Sequence, residues 1–538
     1  MVLTIGFLLV VVIGYFLLDL IASDLAFREK VSLSYGMGIG LISLLLFLMF
    51  YFELLHSKTQ LIILMLLISI VLFACRCVIE KLGIARLKYL SKRSVLYKNG
   101  SFRQWNYKLY LTFLPLFILS LMFSYYYPVM IVDGISYEVT GKLMAVNRAI
   151  EPENYFISYP PLIPGAYSFI CLFGGSHLKI IFPLFYLSLV LCFYFRLIAL
   201  GVNKKSSLMF TLVLATTPYI WWHSFLGILN LTAAYYFSIA TLFWFSHLSD
   251  ISESGDEAGI NYSHPLLAGV FYSLSIFTRF EMLVYFLIPL IFTAFYSLRH
   301  HLPKSLLYLA FTPLFISFLW SFFSSYTLVS GETYQLFSLA LIILIIAIMV
   351  FSNITLNKKC CSLISFVDKY EKRIFTLMKG IGLSLAILLI VYAFISKNVQ
   401  NNLDFVSQFL FFVKTLAMRS IIFIFGNVFF LSTSVLIVLL PLLIKYKSLR
   451  REHTYLFIFI LSFSLLNIII CSWFYFSLYP KGYSVLNWSY DLVEFFKTFV
   501  YHPGKVINSA QIRGLLPIYP VIIFFFAISR RIQKAFEV

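Results

Sequence analysis

Residues 128–175 read PVMIVDGISYEVTGKLMAVNRAIEPENYFISYPPLIPGAYSFICLFGG. In an otherwise apolar chain this is the most polar long interval of the first half. Ile135, Val139, Leu143, Val146 and Ile150 recur at near-helical spacing, with Lys142 and Arg148 on other faces, which predicts a helix lying at a membrane interface. After the turn Tyr159-Pro160-Pro161, the apolar run 162–173 is short of the roughly 20 residues a crossing helix needs. It stops at Gly174-Gly175, so a second helix resting in the outer leaflet is expected. A long outer loop carrying two interfacial helices implies crossing helices on either side of it.

The composition agrees with that implication. Of 538 residues, 61% are apolar and 12% charged, and the mean hydropathy is +0.93, whereas soluble domains carry about a quarter charged residues. The chain is therefore read as an all-α polytopic membrane protein. A net charge of +19 could point to nucleic acid, but the Lys and Arg residues form short clusters between apolar spans, as cytoplasmic loops do. No nucleic-acid partner is expected. Cys75, Cys77, Cys192 and Cys471 lie in apolar spans and Cys360-Cys361 in a basic loop, leaving Cys171 isolated, so no disulfide framework is expected. The first 21 residues lack a basic leader and a small-residue cleavage site, and read as a retained span.

Working outward, three spans are expected at 2–21, 33–55 and 60–79. The segment 81–108, rich in Lys and Arg, follows and is placed inside by the positive-inside rule. Span 109–127 then delivers the 128–177 loop to the outer side. Later spans are expected at 178–200, 206–222, 228–247, 266–278, 282–298, 305–323, 336–351, 380–395, 421–444, 455–476 and 514–529. The count is about fifteen, within a range of roughly 12–15. A second long outer loop covers 477–513. The chain divides into an N-terminal part, 1–108, and a larger module, 109–538.

Ionisable residues at the membrane edge are costly and mark functional sites by default. Asp133 can serve as a general base on a hydroxyl held within hydrogen-bond reach, or as an N-cap for a helix starting near Ile135. Arg279-Phe280-Glu281 interrupts a long apolar run, as a hairpin tip carrying either an ion pair or a ligand-binding cation. Arg513, at the head of the last span, can fork two hydrogen bonds onto a phosphate or snorkel to the headgroups.

Five elements follow in order: Val-Asp-Gly-Ile-Ser-Tyr (132–137), Tyr-Pro-Pro-Leu-Ile-Pro (159–164), Thr-Thr-Pro-Tyr with Trp-His-Ser-Phe-Leu-Gly (216–227), Phe-Thr-Arg-Phe-Glu-Met (277–282) and Arg-Gly-Leu-Leu-Pro-Ile-Tyr-Pro (513–520). In that order they resemble the GT-C superfamily of membrane glycosyltransferases, whose relatives include protein mannosyltransferases and lipid A aminoarabinose transferases. The likeness covers about residues 109–530, and the first three spans lie outside it.

The resemblance implies a GT-C-like fold and inverting transfer of a sugar from a polyprenyl-phosphate donor to a lipid, glycan or protein acceptor. The reaction would lie on the extracytoplasmic side of a multi-pass plasma or inner membrane protein. It implies Asp133 as base, Arg279 and Arg513 at the donor phosphate, Glu281 orienting Arg279, and Tyr137, Glu138, Tyr159, His223 and Asn230 in support. One departure matters. Relatives often place an Asp where this chain has Asn230, and an Asn is neither an ionised base nor a strong metal ligand. No cofactor is firmly expected, and a divalent metal is doubtful. Two other classes stay open: a transporter or flippase of an amphipathic substrate, and a catalytically silent relative that scaffolds envelope assembly.

Overall fold

The computed structural model describes residues 2–81, 107–127, 129, 132–151, 159–254, 261–300, 302–327 and 516–529, with single positions between 342 and 350 and between 453 and 466. The spans expected at 380–395 and 421–444, nearly all of those at 336–351 and 455–476, and the 477–513 loop lie outside the described residues. The chain forms two compact units, 1–353 with 520–538, and 354–519. The second contributes only helical positions between 453 and 466 and a turn at 516–518 that leads into the last described helix.

The described residues form helices, turns and loops, with no strand. In chain order the helices are α1 (Val2–Ile21), α2 (Phe27–Tyr51), α3 (Lys58–Lys81), α4 (Tyr107–Tyr126), α5 (Val132–Asn147), α6 (Leu162–Leu172) and, after a 3-10 turn at Leu178–Ile180, α7 (Ile181–Ala199). Then come α8 (Lys204–Thr216), α9 (Pro218–His223), α10 (Asn230–Ser254), α11 (Ser263–Thr278), α12 (Met282–His300), α13 (Pro303–Thr327) and α14 (Tyr519–Ile528). Among the described residues five stretches, Val2–Ile21, Phe27–Tyr51, Lys58–Ile79, Leu178–Ala199 and Lys304–Ser324, are long and apolar enough to cross a membrane. This is a helical membrane protein.

Two helices, α5 and α6, are present where the interfacial pair is expected, and they pack on one another. Gly141 of α5 lies so close to α6 that a Cβ there would sit 2.9 Å from the Pro164 carbonyl oxygen, and Ser168 donates to the Gly141 carbonyl at 2.7 Å. Two expectations change. The apolar run 206–222 is two helices, because Pro218 has no N–H to donate and forces the residue before it out of the α region. Thr217 is accordingly extended, at φ −61° and ψ 116°. Helix α5 begins at Val132, which makes Asp133 its second residue rather than its N-cap.

Lipid offers no hydrophobic drive between helices, so close approach and interlocking side chains hold the bundle together. Helices α1 and α2 meet backbone to backbone: a Cβ on Gly14 would overlap the Ser34 carbonyl oxygen, and one on Gly38 would overlap that of Val10. Helix α2 then lies against α6, α7 and α11. Tyr35 stacks edge-on with Phe185 at 5.2 Å, Tyr236 of α10 donates to the Gly36 carbonyl at 2.7 Å, and Phe47 meets Phe277 at 5.8 Å. Exposed stripes face the other way, Ile63, Leu67, Ile70 and Val78 on α3, and Phe311, Phe315, Phe318 and Phe322 on α13.

The acidic and basic side chains of α7, α10 and α11 lie near the helix ends. Arg196, Asp250 and His264 gather at one end, and Asn230 and Arg279 at the other. A 19-residue helix such as α7 separates those ends by about 28 Å.

Candidate functional site

Arg279 sits at the corner between α11 and α12, in extended backbone at φ −143° and ψ 116°. Its Nη1 donates to Asn230 Oδ1 at 2.8 Å, and its Nη2 to Glu281 Oε1 at 3.3 Å. The guanidinium carbon lies 5.6 Å from the Tyr159 ring centroid, and the Tyr159 and Tyr137 rings are 6.4 Å apart. Burial disfavours the Arg279 charge, but the Glu281 carboxylate outweighs it and holds the pKa above its ordinary value. The group stays a cation in a partly desolvated place, where a positive charge binds an anion more strongly than in water.

Two atoms of this cluster have no hydrogen-bond partner among the described residues, Arg279 Nε and Glu281 Oε2, and both are buried. An unpaired buried polar group costs about 1–3 kcal/mol. Among the described residues the cluster therefore keeps one donor and one acceptor uncommitted.

The Asp133 helix reaches the same neighbourhood through its backbone. Gly134 approaches the loop before α10 so closely that a Cβ on it would lie 3.0 Å from the Gly227 carbonyl oxygen. Gly227 has φ +80°, a conformation that favours glycine, and three residues later Asn230 opens α10. The Asp133 side chain and all of Arg513 lie outside the described residues.

Of the other expected residues, Tyr137 is buried on the face of α5 turned toward Tyr159, and Glu281 and Asn230 touch Arg279 directly. His223 ends α9 and is fully buried. Glu138 stands apart from the cluster. It faces a cleft of about 440 Å³ on another side of α5, where Lys142 Nζ donates to its Oε1 at 2.5 Å.

Among the described residues no group of three His, Cys, Asp or Glu side chains could hold a metal ion. The donor chemistry at Asn230 also does not fit a divalent metal, because its side-chain oxygen already accepts from a guanidinium and a second cation there would meet Arg279.

Sequence reasoning missed two groups. Lys179 is buried in the 3-10 turn ahead of α7, where its ammonium donates to the Tyr127 carbonyl and lies 3.5 Å from that of Phe225. Its signal was a lysine at the very head of an apolar span. The second is an ionic chain at the far end of the bundle. Arg196 Nη1 donates to Glu29 Oε1 at 3.3 Å, its Nη2 to His264 Nε2 at 3.3 Å, and His264 Nδ1 to Asp250 Oδ2 at 2.7 Å. Each of those four residues lies on a different helix, so no local pattern announces them.

No family model, curated protein or solved structure matches this chain.

Proposed function

We propose that this chain is an integral membrane glycosyltransferase of GT-C type. It takes a sugar from a polyprenyl-phosphate carrier and passes it, with inversion, to a lipid, glycan or protein acceptor outside the cytoplasm. The observation that carries the reading is the Arg279–Asn230–Glu281 cluster, with its uncommitted Arg279 Nε, one loop away from α5, whose second residue is Asp133. In this scheme Asp133 removes the acceptor proton as the sugar carbon is displaced. Negative charge then builds on the departing lipid phosphate, and Arg279 and Arg513 stabilise it in place. Asn230 and Glu281 hold the Arg279 guanidinium at two of its edges, which is the positioning such a cation needs. About fifteen spans, a multi-pass plasma or inner membrane location and an extracytoplasmic site belong to the same proposal.

The test is incubation of the purified chain with a polyprenyl-phosphate sugar and a panel of acceptors, reading released polyprenyl phosphate. Release that disappears in Arg279→Met supports the assignment. Absence of release with every acceptor, in protein that unfolds cooperatively, rejects it.

A second reading, a transporter or flippase, is favoured by one observation: the buried chain Glu29–Arg196–His264–Asp250. Ionisable chains of this kind inside membrane bundles serve as proton relays. Lipid translocation without sugar release, measured in proteoliposomes, would select it.

A further inference from the structure

The 440 Å³ cleft lies outside the Arg279 cluster. Ile135, Glu138, Val139 and Lys142 face it, one turn apart along α5, whereas Gly134, Tyr137 and Gly141 are buried on another side of the helix. Its floor is Lys179. That residue is only 8% exposed, and its stem packs against Gly227, where a Cβ would lie 3.0 Å from Lys179 Cδ. The ammonium has two backbone carbonyls near it and no carboxylate within 4 Å among the described residues. Glu138 is engaged by Lys142 at 2.5 Å. An ammonium has three donors, so Lys179 keeps one donor, and a charge on which Glu138 acts without direct contact, at the bottom of a cleft. His177 joins it there, its ring 4.1 Å from that of Tyr125.

What adjoins the cleft is apolar and exposed. Leu111, Leu114, Ile118, Met122 and Tyr125 form a stripe along α4, each between 46% and 66% exposed, and Tyr125 also lines the cleft. The stripe runs the length of the helix at spacings of three and four residues, so one chain of lipid can lie along it. A hydrocarbon track that ends in a cation-floored cleft is complementary to an acyl chain that ends in a phosphate.

We propose that this cleft binds the anionic headgroup of a bilayer phospholipid, with one acyl chain on the α4 stripe. Lys179 and Lys142 meet the phosphate, and His177 and Tyr125 close the mouth. The bilayer supplies the occupant, because the stripe is a surface that bilayer lipid covers in any case and the cleft is its polar end. The proposal does not depend on sugar transfer, and binding is read without donor or acceptor.

The experiment uses the full chain in a neutral detergent, titrated with dioleoylphosphatidylglycerol or dioleoylphosphatidylcholine and read by native mass spectrometry. Phosphatidylglycerol is expected to bind about tenfold more tightly than phosphatidylcholine. Lys179→Met removes that preference, and Lys179→Arg keeps it. Val139→Trp, which fills the mouth from an exposed position without touching the lysine, lowers the binding of both lipids and decides the matter should Lys179→Met fail to fold. Equal binding of the two lipids overturns the proposal, and so does binding unaffected by Val139→Trp. Stronger retention of polyprenyl phosphate than of phosphatidylglycerol overturns the choice of occupant. Displacement by inorganic phosphate at lipid-like concentrations overturns the role of the acyl track.

Discussion

Arg279 Nη1 and Asn230 Oδ1 are 2.8 Å apart, a bond that ties the corner between α11 and α12 to the first residue of α10. An Asn suits this place because it accepts a hydrogen bond without adding a second negative charge beside Glu281. Replacing it with Leu leaves a buried guanidinium N–H unpaired. Asn230→Leu is expected to destabilise by about 1–3 kcal/mol, seen as a lower unfolding temperature in detergent, and to lower sugar transfer by misplacing Arg279. Asn230→Asp keeps an acceptor at the same position while adding a charge beside Glu281, and is expected to lower the unfolding temperature less than Asn230→Leu. A loss in Asp equal to that in Leu would show that shape rather than hydrogen bonding matters there.

Asp133 is the second residue of α5, where a negative charge is favoured by the helix dipole by about 0.3–1 kcal/mol. Asp133→Asn removes the charge and keeps the shape. It is expected to unfold within a few degrees of the parent and to transfer sugar about 10²–10⁴-fold more slowly. Near-normal transfer would remove Asp133 from the role of base.

The pair Glu29–Arg196 is buried on both sides, at 5% and 4% side-chain exposure. Removing one partner strands a charge, so Arg196→Met is expected to cost about 3–5 kcal/mol. The double change Glu29→Leu with Arg196→Met removes both charges and is expected to recover most of that loss, which a double-mutant cycle in thermal unfolding measures. If the double change is as damaging as the sum of the singles, the pair does not act as a unit.

Asp250 lies near the end of α10, three residues past His247. Burial raises its pKa, but the hydrogen bond from His264, with the Arg196 charge beyond it, outweighs burial, and the net value falls below the ordinary 3.8. A folded pKa lower than the unfolded one stabilises the fold fully above the unfolded value and ceases to do so as pH falls through the folded value. Stability is thus expected to decline as pH falls through and below the ordinary carboxylate range, by less in Asp250→Asn than in the parent. Parallel pH curves for the two proteins would show that Asp250 contributes nothing to the decline.

The α5 and α6 helices were legible because their periodicity and length are local properties, and a dozen apolar residues cannot cross a bilayer wherever they sit. The break at Pro218 is equally local, but a single hydrophobic run of the right length masks a proline inside it. Arg279 with Glu281 was legible as a pair two residues apart. Its bond to Asn230, 49 residues away, was not.

The sequence by itself determined that the chain is a helical membrane protein. In hydrocarbon every backbone polar group must be satisfied within its own segment, so apolar length and spacing dictate helices without help from neighbours. Only the tertiary structure decided which charges meet. Lys179 reaches the Tyr127 carbonyl, Arg196 reaches Glu29 and Arg279 reaches Asn230 because glycine-lined crossings such as Gly14 against Ser34 bring distant helices into contact. Close packing between helices sets those distances, and no residue's immediate neighbours in the chain encode them.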